Sequence, residues 1–536
     1  MKKMQESWRA VRRSVERGAA FFSLAVVGWA GQPAAAQVLA ARWTPPAMHS
    51  GARTVAGRGE SLQPARVFSQ PDPRIAAALG TISAARVQQD IEKLVSFGTR
   101  STLSSMESGL PPGTGILAAA DWIESELRAI SATCGGCLEV RRDTFVEEPA
   151  PAGERPNRYA RETRLVNVFA ILHGSGPGKD APNAAPWVLV TGHYDSRVND
   201  VMDARSAAPG ANDDGSGTAV SLECARAAAA AYAKGFRPAG TMVFVTVAGE
   251  EQGLNGSAHL AKLARAEHWP LEAVLNNDIV GGDTTPGAVG QDKNVVRVFS
   301  ESVPSAATPE QAKEMLALGE EGDSPSRELA RAIAGIASAY FAPAPVRPTT
   351  VPGRSSPMGR LESTFHPVMV LRRDRYLRGG DHTSFNAQGF AAVRFTEWRE
   401  NFDHQHQSVR VENGVQYGDL LQFVDTNYVA DVARLNLATL MTLAAAPSEP
   451  QDVRVLTKVL DNSSELTWQP SRFAPAGTTY EVLWRATNEL LWTHAQSTGS
   501  ALSLKLDVSK DNVLFGVRAV GRDGQASLPV FPLPSR

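Results

Sequence analysis

The stretch Thr241-Met242-Val243-Phe244-Val245-Thr246-Val247 runs straight into Ala248-Gly249-Glu250-Glu251-Gln252-Gly253. A run of apolar and β-branched residues with no alternation reads as a strand buried on both faces. Two adjacent glutamates close it, and glycines flank them. Carboxylates at the end of a buried strand are costly to desolvate unless something pairs with them. A metal ion is the expected partner, because residues of metal-ligating type recur in the same setting elsewhere in the chain.

On either side of this strand the pattern alternates. Trp187 to Thr191 is another near-continuous apolar strand, Ala219 to Lys234 a helix, Ser257 to Arg265 a helix, and Leu271 to Asn276 a strand. Ala391 to Phe395 adds a strand, and Val424 to Leu443 closes with a helix. Apolar strands separated by helices predict an α/β fold, a mostly parallel central sheet with helices on both faces. Upstream, Val87, Ile91, Leu94 and Val95 recur at helical spacing, so structure is expected to begin near Ile82, and a second helix spans Gly115 to Ile130. Residues 284–360 turn proline- and glycine-rich around a helical piece, Pro309 to Tyr340, and read as an insertion.

At 536 residues the chain is long enough for two or three domains. A net charge of -2 gives no electrostatic case for nucleic acid or an anionic membrane surface. Lys2, Lys3, Arg9, Arg12, Arg13 and Arg17 precede an apolar run from Ala19 to Ala30, and Ala34-Ala35-Ala36 follows. Residues 1–36 therefore read as a signal peptide, with the mature chain periplasmic or extracellular. No later run is apolar for long enough to span a bilayer. Residues 37–81 are rich in Ala, Pro, Arg and Ser and are expected to be poorly ordered. In an exported chain Cys134-Gly135-Gly136-Cys137 reads as a local disulfide, and Cys224 as a buried thiol.

After Ala446 come a linker, Pro447-Ser448-Glu449-Pro450, and short alternating segments such as Glu465-Leu466-Thr467-Trp468 and Val513 to Val520. They predict a small all-β sandwich over 447–536. Pro450, Trp468, Tyr480 and the Phe515-to-Val520 strand give it a resemblance to a fibronectin type III domain. It offers no residue of catalytic type, so it reads as a spacer or as a module binding protein or polysaccharide. A chain ending at Ala446 is expected to stay active.

Four short segments supply metal-type side chains. Thr191-Gly192-His193-Tyr194-Asp195-Ser196 ends the Trp187 strand. Gly210-Ala211-Asn212-Asp213-Asp214-Gly215-Ser216-Gly217 opens the Ala219 helix, Glu250-Glu251 is the third, and Asn276-Asn277-Asp278 ends the Leu271 strand. Each alone has a plain structural use, as a turn, a helix cap or a solvated face. Together they lie where open parallel sheets place their sites, at the carboxyl ends of strands. Histidine with carboxylates suits zinc, with cobalt or manganese as substitutes. The carboxylates exceed what one zinc needs, which points to two ions bridged by a shared carboxylate. A base is still required, and the glutamate pair divides the labour: one ligates and its neighbour moves the proton.

These segments resemble the aminopeptidase Y / bacterial leucyl aminopeptidase family of di-zinc exopeptidases, whose phosphorylase/hydrolase-like fold is shared with the zinc carboxypeptidases. Gly380-Asp381-His382-Thr383-Ser384-Phe385, Asn401-Phe402-Asp403-His404-Gln405-His406 and Ser96-Phe97-Gly98-Thr99-Arg100 match further family segments, so the resemblance runs from Ile82 to Ala446. It implies that Asp213 bridges two Zn2+, that His193 and Asp278 complete one ion, and that Glu251 and His406 complete the other. Glu250 would be the general acid/base, and Asp195 would orient the His193 imidazole. Asp381 and His382 would lie near the pocket in support. His404 competes with His406 for the last ligand, and the spacing from Phe402 favours His406. The activity implied is a metallo-aminopeptidase acting on peptides. A carboxypeptidase or a glutaminyl cyclase uses the same fold, and the metal ligands do not separate them. The pocket wall does, since a substrate carboxylate needs Arg or Lys. Arg354, Arg360, Arg372, Arg373, Arg375 and Arg378 lie in or near the insertion. A non-catalytic binding protein on this scaffold would have lost a ligand or the base, and here every position is filled.

Overall fold

Hydrophobic pairing places eight strands in one sheet. In the computed structural model, which describes residues 71–151, 158–341, 364–376 and 378–535, they are β1 (Leu138–Glu147), β2 (Thr163–Leu172), β3 (Trp187–His193), β4 (Thr241–Val247), β5 (Leu271–Asn277), β6 (Val295–Ser300), β7 (His366–Val370) and β8 (Ala392–Glu397). Their order is β1-β2-β4-β3-β5-β8-β6-β7. The central run β4-β3-β5-β8 is parallel. β2 is antiparallel to both β4 and β1, and β6 is antiparallel to β8 but parallel to β7. The sheet is thus parallel in the middle and mixed towards its edges. Every residue of β3 and β4 is buried, as their unbroken apolar character requires. β1, β2, β6 and β7 are not anticipated by the sequence reading. β1 carries charges on its exposed face, and β6 lies inside the segment read as an insertion; pairing with neighbours makes them strands.

The helices are α1 (Pro73–Leu79), α2 (Ala84–Val95), α3 (Ile116–Thr133), α4 (Gly215–Ala233), α5 (Glu250–Gly253), α6 (Asn255–Ala266), α7 (Pro309–Leu318), α8 (Pro325–Tyr340), α9 (His382–Ala387) and α10 (Thr426–Ala444). One face of the sheet packs on α2, α3, α4, α8 and α10 in a large apolar cluster. The other packs on α6 and α9, through Leu260, Ala261, Ala264 and Phe385. Among the described residues no helix is long and apolar enough to cross a membrane.

The expectation of disorder over 37–81 needs correction at its end. Asp72 caps α1 by accepting from the Arg74 main-chain N–H at 2.7 Å, Pro73 opens the helix, and Ile75, Ala78 and Leu79 enter the core. The alanines hide the helical spacing, because their burial depends on what they meet. Residues 1–36 and 37–70 lie outside the described residues, as do 342–363 of the insertion with Arg354 and Arg360. The Cys134 and Cys137 sulfurs sit at bonding distance, 1.97 Å, just past α3, and Cys224 is a buried thiol.

After a hairpin of β9 (Arg410–Glu412) and β10 (Val415–Tyr417), the chain past α10 forms β11 (Gln451–Leu456), β12 (Ser464–Gln469), β13 (Thr479–Ala486), β14 (His494–Gly499), β15 (Ser503–Leu506), β16 (Val513–Val520) and β17 (Leu533–Ser535). One sheet runs β15-β12-β11-β17 and the other β14-β13-β16. They share an apolar cluster around Trp468, Tyr480, Trp484 and Phe515. β17 joins β11 in parallel, so the pair of sheets is not wholly antiparallel. A buried polar network ties this region to α8. Arg485 bonds Asp323 at 2.7 Å, Arg331 bonds Asp323 at 3.1 Å and also Glu328, and the Trp492 indole N–H donates to Glu328 at 2.9 Å.

Candidate metal centre

β3 ends at His193, β5 at Asn277 just before Asp278, and β4 runs into the Glu250–Glu251 turn. Since β4, β3 and β5 are adjacent and parallel, these three ends lie side by side. The loop into α4 brings Asp213 over them. The approach is close because two glycines face each other: a Cβ on Gly192 would lie 2.4 Å from the Gly217 carbonyl carbon, and one on Gly217 2.3 Å from the Asn277 oxygen. Gly249 holds a left-handed conformation, φ 76°, which turns the chain from β4 into α5.

The outcome is two groups of potential ligand atoms that share Asp213. His193, Asp213 and Asp278 form one, and Asp213, Glu251 and His406 the other. His193 Nε2 lies 3.2 Å from Asp213 Oδ1 and 3.8 Å from Asp278 Oδ1. His406 Nε2 lies 2.9 Å from Asp213 Oδ2 and 3.1 Å from Glu251 Oε1. A tetrahedral zinc with bonds of about 2.0–2.2 Å spaces its ligand atoms roughly 3.3–3.6 Å apart, so these separations bracket a common ion. His193 Nε2 and Glu251 Oε1 are buried and have no hydrogen-bond partner. Buried ligand-type atoms left without a hydrogen bond, one in each group, are what a ligand set shows when its natural partner is a cation. The donor chemistry and the geometry both fit zinc.

Electrostatics point the same way. Burial alone would lower the His193 pKa, yet Asp195, Asp213 and Asp278 drive it well above its ordinary value. Burial also opposes protonation of His406, but Glu251 and Asp213 push it up to about 10. Asp213 is held well below the carboxylate range, against its burial, by the two histidines. The site carries excess negative charge that cations would balance. Glu250 ligates nothing in either group. Burial first, then Asp278, Glu251 and Asp381, raise its pKa well above the ordinary value. That is the condition of a carboxylate kept ready to exchange a proton.

The Asp195 carboxylate does more than face the imidazole. His193 Nδ1 lies 3.1 Å from the Asp195 main-chain oxygen and 3.4 Å from its carboxylate. That carboxylate also accepts from the main-chain N–H of Glu250 at 3.3 Å and of Glu251 at 3.2 Å. One side chain thereby fixes both the β3 end and the glutamate turn. His404 points elsewhere: it stacks on Phe423 with ring centroids 3.8 Å apart and lies 3.3 Å from Asp283. His382 is buried with its pKa lowered to about 4 by burial, and Asp381 is buried with its own raised to about 7.

The chain matches the model of Peptidase family M28 over residues 167–348. It is 43% identical over 472 residues to a "Probable zinc metalloprotease" of Pyricularia oryzae, covering 87% of this chain and 85% of that one. The chain belongs to peptidase family M28. A second "Probable zinc metalloprotease", from Pyrenophora teres f. teres, is 41% identical over 468 residues, with 87% and 88% covered. The crystal structure of the Legionella pneumophila LapA aminopeptidase overlaps with a TM-score of 0.44 at 19% identity, covering 72% of this chain and 78% of that one. The M28 chain is a zinc-dependent peptidase.

Several residues that build this M28 centre carry no sequence signal of their own. Asp214 accepts from the N–H of His193 at 3.0 Å, of Gly217 at 2.9 Å and of Ile279 at 3.3 Å, which locks β3, α4 and the β5 end together. Asp419 accepts from Asp213 N–H at 2.7 Å. Arg394, fully buried on β8, bonds Asp278 at 2.9 Å. Arg100 is fully buried and donates to the carbonyls of Tyr194, Pro209 and Gly210 at 2.7, 2.6 and 2.8 Å. Only Asp214 and Arg100 lie inside segments that the motifs single out.

Proposed function

We propose that this zinc peptidase is an exported aminopeptidase with a two-zinc site, His193, Asp213 and Asp278 holding one ion and Asp213, Glu251 and His406 the other. The observation that carries the reading is the cavity over the centre. It measures about 300 Å³ and is floored by Asp213, Glu250, Glu251 and Asp278. That is the low end of ligand-site volumes, and a floor rich in carboxylates suits a free substrate amine. Zinc held by these residues would supply polarisation of the scissile carbonyl and a water of lowered pKa. Glu250 accepts the proton released as water attacks and hands it to the leaving amine. Asp195 keeps His193 and the glutamate turn in register, and Arg197, 2.8 Å from Glu251 Oε2, leaves Oε1 turned towards His406.

The test is hydrolysis of aminoacyl-nitroanilides with and without a chelator, beside N-blocked and C-terminal substrates. Chelator-sensitive cleavage confined to free-amine substrates is expected. Cleavage only from the carboxyl end, or conversion of an N-terminal glutamine to pyroglutamate with loss of ammonia and no peptide cleavage, would replace the aminopeptidase by a carboxypeptidase or a cyclase. Export predicts a mature N-terminus at Gln37, read by Edman sequencing of the secreted protein.

A further inference from the structure

The wall of the same cavity has the opposite charge to its floor. Beyond the metal-type cluster and Glu250, its charged residues are Arg158, Arg197, Arg375 and Arg378. Their local balancing is thin. Glu400 alone serves three guanidiniums, Arg297 at 3.2 Å, Arg375 at 2.8 Å and Arg378 at 2.9 Å. Arg375 leans also on Asp374 at 3.1 Å, itself shared with the buried Arg394 at 3.3 Å. Among the described residues Arg197 is neutralised only by Glu251, a member of the metal-type cluster. Arg158 donates to the Glu251 main-chain oxygen and, among the described residues, pairs with no carboxylate. The Arg378 side chain keeps a third of its surface exposed, with donors left beyond its bond to Glu400. Guanidiniums that converge on a cavity with spare N–H donors match a planar carboxylate, which accepts two of them in parallel.

We propose that this arginine wall binds a carboxylate of the substrate, so that the enzyme selects acidic peptides. The proposal rests on peptides occupying this cavity, as the aminopeptidase reading requires. It departs from a preference for apolar N-terminal residues, since among the described residues Leu254 is the one apolar side chain of any size lining the cavity. Three parts of a short peptide offer the same chemistry: the side chain of the N-terminal residue, the side chain of the second, and the free C-terminus.

The experiment uses the zinc-loaded full chain carrying Glu250→Gln, which holds peptide while turnover is slowed about 10²–10⁴-fold. Titration calorimetry compares matched pairs: Glu-Ala-amide with Gln-Ala-amide, Ala-Glu-amide with Ala-Gln-amide, and Ala-Ala with Ala-Ala-amide. In one pair the carboxylate form should bind about ten-fold tighter or more, and that pair names the source. The preference should shrink below about three-fold when Arg378→Gln or Arg158→Gln is added, and weaken with salt. Equal affinity within all three pairs, or no binding of any, overturns the proposal. Should either arginine variant fail to fold, the acid-to-amide ratio in the parent decides alone. Turnover by the unmutated enzyme of free-amine against N-acetylated peptides is scored separately. A preference in the third pair with cleavage from that end would sink the aminopeptidase reading and keep the arginine wall.

Discussion

Glu250 and Glu251 are chemically identical neighbours that the turn sends to different tasks. Glu251 faces His406 and Arg197, whereas Glu250 reaches the cavity and joins neither ligand group. Glu250→Gln removes the proton carrier and keeps the shape, so turnover should fall about 10²–10⁴-fold with zinc content unchanged. Loss of metal in that variant would make Glu250 a ligand instead. The two histidines of Asn401–His406 are separated in the same way. His406→Ala should lower bound zinc by one equivalent, measured by atomic emission, while His404→Ala should leave it intact. The reverse pattern would move the last ligand to His404. Asp195, His193 and the glutamates were legible as a group because each follows an apolar strand. Arg394 was not, since an arginine inside a strand carries no mark of its partner until β8 is laid beside β5.

At the scale of elements, the β3–α4 junction depends on the absence of side chains. Gly217→Ala would drive a methyl into the Asn277 carbonyl and the Asp214 carboxylate. A cost of at least about 2 kcal/mol is expected from urea unfolding. An unchanged midpoint would show that α4 can shift without harm. Glu397, at the end of β8, is buried and accepts from the Asp283 N–H at 3.0 Å and from the Asn212 amide at 3.2 Å. Burial, with Asp283 nearby, raises its pKa to about 8. A carboxyl raised from an unfolded value near about 4.3 favours the folded state at low pH, and that contribution is lost as pH climbs to about 8. Relative to Glu397→Gln, the thermal midpoint of the unmutated chain should therefore drop between pH about 5 and about 8. A constant difference across that range would mean that Glu397 is ionised throughout.

The whole molecule does not divide where composition shifts. The linker at Pro447 to Pro450 suggests a separable end, and the sandwich has its own apolar cluster. Yet Asp323, Glu328 and Arg331 are buried against Arg485 and Trp492 from beyond that linker. Stripping one side of a buried charge network costs about 3–5 kcal/mol. A chain ending at Ala446 should therefore melt well below the full chain, and its activity should decay on warming even if the cold protein turns over substrate. Equal melting temperatures would restore the independence that the linker implied.

Apolar runs free of alternation committed β3, β4 and β5 to the middle of a sheet, because no other arrangement buries both faces of such strands. The carboxylates and histidine at their ends then followed from strand polarity alone. Local sequence could not say which edge strands would join, that α1 would order through contacts made by alanines, or which way each glutamate of the pair would point. Those depend on neighbours far away in the chain: β8 supplies Arg394, the loop before α10 supplies Asp419, and residues 375 and 378 supply positive charge to the cavity wall. Long-range burial and pairing decided these, since a buried charge is defined by the atoms packed around it.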